Sequence, residues 1–167
     1  CHVLWQGKEM LNLTSNDYLG LASDPALHTE FYASRNEKNC LDDYGLGAAS
    51  SRLLTGDTVH HHKLETELGK VYGNRSVLLF NSGYHANIGI IPALLTKDDL
   101  VLSDKLNHAS IHDGLRLCAA DHKRYRHADY QHLRELLTKY RTSYQQVLIA
   151  TESVFSMDGD VADLAEL

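Results

Sequence analysis

The sequence predicts an α/β protein with a mostly parallel sheet that helices cover on both faces. Short apolar runs, each long enough for one buried strand, alternate with longer segments in which apolar residues recur at helical spacing. Polar side chains directly follow the apolar runs at 100–102 and 147–150, as is typical of the carboxyl edge of a parallel sheet. With 167 residues, the chain is long enough to bury a core of this kind.

Composition argues against several classes of protein. The chain is 43% apolar and 23% charged, which is ordinary for a globular protein. Its net charge of -6 and its lack of a basic cluster argue against a nucleic-acid partner. No apolar run reaches membrane-spanning length, and no signal peptide is recognisable. Three scattered cysteines, Cys1, Cys40 and Cys118, do not form a disulfide framework, so we expect a cytoplasmic protein without a membrane partner.

The first elements are a short strand, a turn and a helix. Apolar residues predict the strand at 11–13, and residues 15–20 form a polar turn that ends on glycine. Asp24 and Pro25 are typical of a helix start, because proline suits the first helical position. We therefore expect a helix from residue 26 to about residue 35.

A loop and a second helix follow. Residues 42–55 are rich in glycine and serine, but they lack the third glycine and the preceding strand of a dinucleotide-binding fingerprint. Asp57 or Thr58 is expected to cap the next helix, which should end before Gly73.

The rest of the chain alternates strands with helices, which favours a parallel sheet. It begins with a buried strand predicted at 77–80 and a turn at 81–83. The later elements are, in order, a helix to about residue 95, a strand at 100–102, a helix capped by Asn107 and ending at Leu117, a strand at 122–125, a helix at 130–140 and a strand at 146–151.

Three polar loops are expected to meet at one edge of this sheet. The first loop is the turn at 81–83, where the Ser82 hydroxyl and the free N–H groups at the start of the following helix suit a phosphate. Many α/β proteins have such a turn without a ligand. His108 follows the strand at 100–102, and residues 153–158 follow the strand at 146–151. A phosphate site beside a histidine, an aromatic residue and a serine suggests a phosphorylated aromatic cofactor.

Metal binding and serine-hydrolase chemistry are poorly supported. Residues 60–62 are three consecutive histidines in a predicted helix, where neighbouring side chains diverge, so we interpret them as solvated or locally bonded. His108 and His112 have a two-ligand spacing without a third ligand, and we expect no metal site. Ser82 lies on a strand-to-helix turn with His108 downstream, but the Gly-x-Ser-x-Gly elbow is absent.

Six blocks of sequence resemble one known family in the same order. They are SNDYLGL (15–21), SRLLTG (51–56), HHKLE (61–65), NSGYHAN (81–87), SDKLNHAS (103–110) and TESVFSMDGD (151–160). In these blocks the chain resembles the α-oxoamine synthases, which depend on pyridoxal 5'-phosphate (PLP) and have the aspartate-aminotransferase fold. The blocks are spread along nearly the whole chain, from residue 15 to residue 160.

The resemblance implies a PLP-dependent transferase of fold type I that acts as a homodimer with active sites at the subunit interface. The implied reaction is the decarboxylative condensation of a small amino acid with an acyl-CoA thioester. We expect residues 1–40 to belong to the small domain and its connection, and residues 41–167 to begin the large PLP-binding domain. The ends at Cys1 and Leu167 lack natural boundaries, so we interpret the chain as a fragment from the N-terminal half.

The resemblance also assigns roles to residues in the matching blocks. Ser82, Gly83 and Tyr84 would hold the cofactor near its phosphate. His108 would stack on the pyridine ring as the catalytic residue of this segment. The other implied contacts are Ser156 near the ring hydroxyl, Glu152 behind the ring and Asn16 at the carboxylate of the amino acid. Asn16 also fits an ordinary turn, Glu152 an ordinary strand end, and Arg52 is expected to be structural.

One departure from the family pattern concerns the lysine that binds the cofactor covalently. In the family it lies well beyond the segment that ends at Leu167, as does the aspartate that faces the pyridine nitrogen. No lysine of this chain falls in that motif, so we expect no turnover by the chain alone. A non-catalytic partner subunit and a hydrolase based on Ser82 and His108 therefore stay open as alternatives.

The blocks at 51–56 and 155–160 resemble most the members that condense L-alanine with a pimeloyl thioester in biotin biosynthesis. Those at 107–111 and 113–118 are closer to the members that join glycine to an acetyl group. We prefer the first activity and keep the second, or another α-oxoamine synthase activity, as the alternative.

Overall fold

The computed structural model describes residues 2–35, 42, 45 and 47–167. The described residues form two compact units, which divide between Val77 and Leu78. The expected boundary between residues 40 and 41 lies outside the described residues, as do Cys1, Cys40 and part of the glycine-rich loop.

The first unit opens with an antiparallel hairpin of β1 (His2–Trp5) and β2 (Lys8–Leu11). Gln6 and Gly7 join the strands with φ angles of 50° and 75°, which suits the tight turn of a two-residue hairpin. The strand predicted at 11–13 was placed too late. Beyond Leu11, the Asn12 side chain accepts the Thr14 N–H at 2.9 Å, and this local bond replaces strand pairing.

The predicted turn and first helix are confirmed. Gly20 ends the turn at a φ of 68°, and its N–H donates to the Asp17 carbonyl at 3.1 Å. Helix α1 (Pro25–Ala33) is capped by Asp24, whose Oδ1 accepts the Ala26 N–H at 2.8 Å. The helix ends two residues before the predicted limit.

Helix α2 (Val59–Val71) begins after Thr58 and ends before Gly73, as predicted. The histidine run at its start is bonded locally. Nδ1 of His61 accepts the Thr58 N–H at 3.2 Å, and Nε2 of His62 lies 2.8 Å from Oδ2 of Asp57. These histidines therefore stabilise the first turn of the helix.

Arg52 has the structural surroundings that the sequence suggested. Its guanidinium donates to Oε1 of Glu65 at 2.7 Å and, through Nε, to Oδ1 of Asp57 at 2.9 Å. The Glu65 bond is the main cause that raises the pKa of Arg52. The ion pairs link the loop before α2 to the first half of that helix.

The second unit contains helices α3 (Gly83–Leu94), α4 (Ala109–Leu117) and α5 (Tyr130–Tyr140). Its strands are β3 (Leu100–Asp104), β4 (Asp121–Tyr125) and β5 (Val147–Ala150). The strands pair in the order β4-β3-β5, and both pairings are parallel, which confirms the predicted sheet type. None of the described helices is long and apolar enough to cross a membrane.

Residues of β3 alternate between two core clusters, so helices cover both faces of the sheet as predicted. On one face, Val101 packs with Ile91 and Leu95 from the α3 side and with Ile111 and Leu115 of α4. On the other face lie Leu100, Leu102, Tyr125 and, from α5, Leu133. Leu100, Val101 and Leu102 are fully buried, and this core holds the carboxyl ends of β3 and β5 at one edge.

Two predictions around this sheet were wrong. Residues 77–80 form no strand, and Leu78 is 66% exposed. No strand in the described part of the second unit pairs with this segment, and a strand needs a partner for its backbone groups. The cap of α4 is His108 rather than Asn107, whose side chain instead donates to the Ala150 carbonyl at 2.8 Å.

Candidate functional site

An open cavity of about 460 Å³ lies at the carboxyl edge of the sheet in the second unit. Its volume falls in the range of small-molecule sites, about 300–1,000 Å³. It is lined by Gly83, Tyr84, Asn87, His108, Ser110, Ile111, Thr151, Glu152, Ser153 and Val154. The three loops that were expected to meet here all contribute residues.

The start of α3 forms one wall. The hydroxyl of Ser82 caps the helix by accepting the His85 N–H at 3.2 Å, so it has a structural bond of its own. The N–H groups of Gly83 and Tyr84 have no acceptor in the described part of the chain, since the first N–H groups of a helix lack intrahelical partners. A Cβ on Gly83 would meet nothing within 4 Å. This wall can therefore receive an anion.

His108, between β3 and α4, also lines the cavity. Its Nδ1 accepts the Ser110 N–H at 3.2 Å and so caps α4, while the residue as a whole remains exposed. Oε1 of Glu152 accepts the backbone N–H of His108. The start of α4 is thereby attached to the loop after β5.

Ser156 lies outside the main cavity. It lines an adjacent space of about 50 Å³ together with Leu106, His108, Glu152, Phe155, Met157 and Asp158. His108 and Glu152 line both spaces. The structure therefore brings Gly83, Tyr84, His108 and Glu152 together in one cavity and places Ser156 next to it.

Asn16 belongs to the first unit, where it is exposed in the turn before Gly20. The neighbouring Asp17 N–H donates to Oγ of Ser15 at 3.0 Å, so the local turn is held without the Asn16 side chain.

Sequence reasoning did not single out Asn87 and Ser110. Nδ2 of Asn87 donates to Oγ of Ser110 at 2.8 Å, and this Oγ lies 2.7 Å from Nδ1 of His108. No local pattern in the sequence indicated this link, because it joins residues of two different helices.

A second polar cluster supports the loop that carries Ser156. The His127 ring lies 3.0 Å from Asp104 through Nδ1 and 2.9 Å from Asp160 through Nε2. Hydrogen bonds to Asp160 and Asp104 raise the pKa of His127. The ring also packs edge-on against Phe155, with ring centres 4.5 Å apart. The cluster therefore fastens the loop to the edge of the sheet.

The remaining histidine of interest, His112, is partly buried. Burial, with a further contribution from Arg124, lowers the pKa of His112. Among the described residues, no group of three or more histidine, cysteine or acidic side chains could hold a metal ion.

The arrangement suits a phosphorylated, flat ligand. Free N–H groups at the start of α3 can bind a phosphate, and the exposed His108 offers the flat surface of its imidazole in the same cavity. The carboxylate of Glu152 accepts the backbone N–H of His108 and so holds the backbone of this histidine in place.

Comparisons of the sequence and of the structure with known proteins point to the same group of proteins. A family model described as aminotransferase class I and II matches residues 8–167. The 8-amino-7-oxononanoate synthase of Chlorobaculum parvum is 55% identical over 161 residues, which are 96% of this chain and 41% of that protein. The protein of that name from Haemophilus ducreyi is 49% identical over 165 residues, covering 99% of this chain and 42% of the relative.

Among solved structures, a serine palmitoyltransferase from S. paucimobilis with PLP and myriocin bound has a TM-score of 0.85 at 33% identity. The match covers 99% of this chain and 41% of that one. The 8-amino-7-oxononanoate synthase of Francisella tularensis has a TM-score of 0.65 at 32% identity, covering 92% of this chain and 40% of that one.

This chain spans about two fifths of the length of the curated relatives it matches. Both kinds of comparison confirm the expected fold and the resemblance to the α-oxoamine synthases. Because the family model covers nearly all of the sequence, the chain belongs to the aminotransferase class I and II family.

Proposed function

We propose that the complete protein is a PLP-dependent acyltransferase that condenses L-alanine with a pimeloyl thioester to give 8-amino-7-oxononanoate. The observation that carries the proposal is the cavity where the start of α3, His108 and Glu152 converge. Relatives named for this activity are about 50% identical along nearly the whole chain, which supports the choice of reaction.

The residues of the cavity fit PLP. Gly83 leaves open space where a side chain would stand, and the free N–H groups beside it suit the phosphate. The cavity of about 460 Å³ has room for the ring. When bound, PLP supplies an electron sink for the Cα carbanion of the amino acid.

In this proposal each site residue has a defined task. Gly83 and Tyr84 donate backbone N–H groups to the phosphate, and Ser82 orients them by capping the helix. His108 stacks on the pyridine ring and keeps it oriented, and Glu152 holds the backbone of His108 in place. Ser156, which lines the adjacent space, bonds near the ring hydroxyl.

The proposal extends to the amino acid and to the assembly. Asn16 recognises the carboxylate of the amino acid, and the enzyme acts as a cytoplasmic homodimer with active sites at the subunit interface. The described cysteine, Cys118, is a free thiol, which suits a reducing compartment. Residues 1–40 belong to the small domain, and residues 41–167 begin the PLP-binding domain.

The first test measures the intact mass of the complete protein after incubation with PLP and reduction with borohydride. We expect a gain of one cofactor per chain on a single lysine outside this segment. A complete protein that gains no cofactor would instead support the non-catalytic partner subunit.

The second test separates the two condensations. The complete protein with PLP is assayed for CoA or carrier thiol release with L-alanine and a pimeloyl thioester, and with glycine and acetyl-CoA. We expect turnover with the first pair. Turnover only with the second pair would favour glycine acetyltransferase, to which the blocks at 107–111 and 113–118 are also similar.

A further inference from the structure

Nδ1 of His108 faces two hydrogen-bond donors of one residue. The backbone N–H of Ser110 lies 3.2 Å from it, and Oγ of Ser110 lies 2.7 Å from it. A backbone N–H can only donate, so this bond is made only when Nδ1 is an acceptor without hydrogen. In that tautomer the Ser110 hydroxyl donates its hydrogen to the same nitrogen.

A second hydrogen bond links Ser110 to Asn87 of α3. Since the Ser110 hydroxyl gives its hydrogen to His108, its oxygen has only acceptor capacity left, and the Asn87 amide fills it with a donor at 2.8 Å. The chain of bonds therefore runs one way, from the Asn87 amide through the Ser110 hydroxyl to Nδ1 of His108.

We propose that Ser110 and Asn87 are positioning residues that hold His108 as the neutral tautomer with its hydrogen on Nε2. Nε2–H is then the ring's remaining polar group, and it has no protein acceptor in the described part of the chain. That this tautomer strengthens cofactor binding rests on the proposed function, in which the His108 ring stacks on PLP.

The surroundings of the two residues are rigid enough for this task. Ser110 is 1% exposed, and α3 and α4 approach so closely that a Cβ on Gly114 would lie 2.6 Å from the Asn87 carbonyl oxygen. Neither helix can shift easily, so the donor and acceptor keep their distances. A partly buried, fully directed bond chain can fix a histidine tautomer.

The decisive variants change the direction of the bonds rather than the packing. Asn87→Asp is nearly isosteric, but its carboxylate can only accept, so it takes the hydrogen of the Ser110 hydroxyl away from His108. Ser110→Ala removes the hydroxyl, whose bond at 2.7 Å is the shorter of the two, and leaves Nδ1 the longer backbone bond at 3.2 Å, which should not hold one tautomer by itself. Asn74→Asp, a substitution at an exposed asparagine of the first unit, is the matched control.

The primary measurement is ¹⁵N NMR of the complete apo protein with labelled histidine, at a pH where the imidazole is neutral. We expect the Nε2–H tautomer alone in the parent and the control, and a mixture of both tautomers in Asn87→Asp and Ser110→Ala. A parent with hydrogen mainly on Nδ1, or two variants that keep the parent tautomer, would overturn the proposal.

A second measurement follows the induced circular dichroism and the apparent Kd of added PLP. We expect both positioning variants to alter the cofactor signal and to raise the Kd about tenfold, with melting temperatures of the apo proteins measured alongside. Because the tautomer is measured without cofactor, a parent that binds no PLP contradicts the proposed function alone. Unchanged tautomers contradict the positioning role alone.

Discussion

The carboxylate of Glu152 accepts the backbone N–H of His108 across 44 positions of sequence. The bond joins the loop after β5 to the start of α4, and Asn107 reinforces it by donating to the Ala150 carbonyl at 2.8 Å. Two carboxyl ends of neighbouring parallel strands are thereby tied at the point where His108 enters the cavity. Loss of this tie should misplace the histidine without unfolding the sheet.

Glu152→Ala in the complete protein should weaken PLP binding about tenfold, because the His108 backbone loses its acceptor. Glu152→Gln keeps an oxygen acceptor and should stay within about threefold of the parent. The measurement is the apparent Kd of PLP from the absorbance of the bound cofactor. Equal losses in both variants would indicate that the charge of Glu152, rather than its hydrogen bond, is required.

His127 should make stability depend on pH. Its bonds to Asp160 and Asp104 raise its pKa above the ordinary value, so the folded state binds the proton more tightly than the unfolded state does. The stabilisation is complete below about pH 6.5 and is lost as pH rises through the raised pKa. Its size should be about 1 kcal/mol, because Asp160 is half exposed and solvent screens that pair.

The test compares melting temperatures of the complete protein and His127→Gln between pH 6 and pH 9. The parent should lose more stability than the variant over this range, since glutamine has no proton to release. Parallel pH profiles for the two proteins would show that the Asp104–His127–Asp160 cluster does not contribute in this way.

Gly114→Ala should destabilise the second unit by about 1–3 kcal/mol. The new methyl group would lie 2.6 Å from the Asn87 carbonyl oxygen and 3.1 Å from Cδ1 of Ile91, and the backbone oxygen cannot move aside. Gly83→Ala is the control, because its methyl group meets nothing within 4 Å, and its stability should change by less than about 0.5 kcal/mol. Urea denaturation of the complete apo protein measures both, and similar midpoints would contradict the close helix contact.

Asn16→Ala should raise the KM for L-alanine about tenfold and leave the apparent Kd of PLP unchanged, if Asn16 binds the substrate carboxylate. Asn12→Ala, in the same segment, is the matched control and should leave both values unchanged. If Asn16→Ala kept the KM of the parent for L-alanine, Asn16 would be an ordinary turn residue without contact to the substrate.

Local signals in the sequence predicted most of the elements correctly. Asp24 and Pro25 start α1, and Gly73 follows the end of α2. These features depend on backbone preferences and periodicity within a few residues of the chain. The six sequence blocks likewise indicated the family, because they preserve the type and order of the residues around the site.

Tertiary structure decided what depends on a partner distant in sequence. The apolar run at 77–80 reads as a strand, yet no strand in the described second unit pairs with it. The sequence predicts Asn107 as a helix cap, yet its side-chain amide donates to the Ala150 carbonyl, and His108 caps α4 instead. The link from Asn87 through Ser110 to His108 joins two helices, and only their packing could reveal it. A hydrogen bond or a strand pairing needs a donor and an acceptor close together in space. The sequence shows each group, but not which distant group it meets.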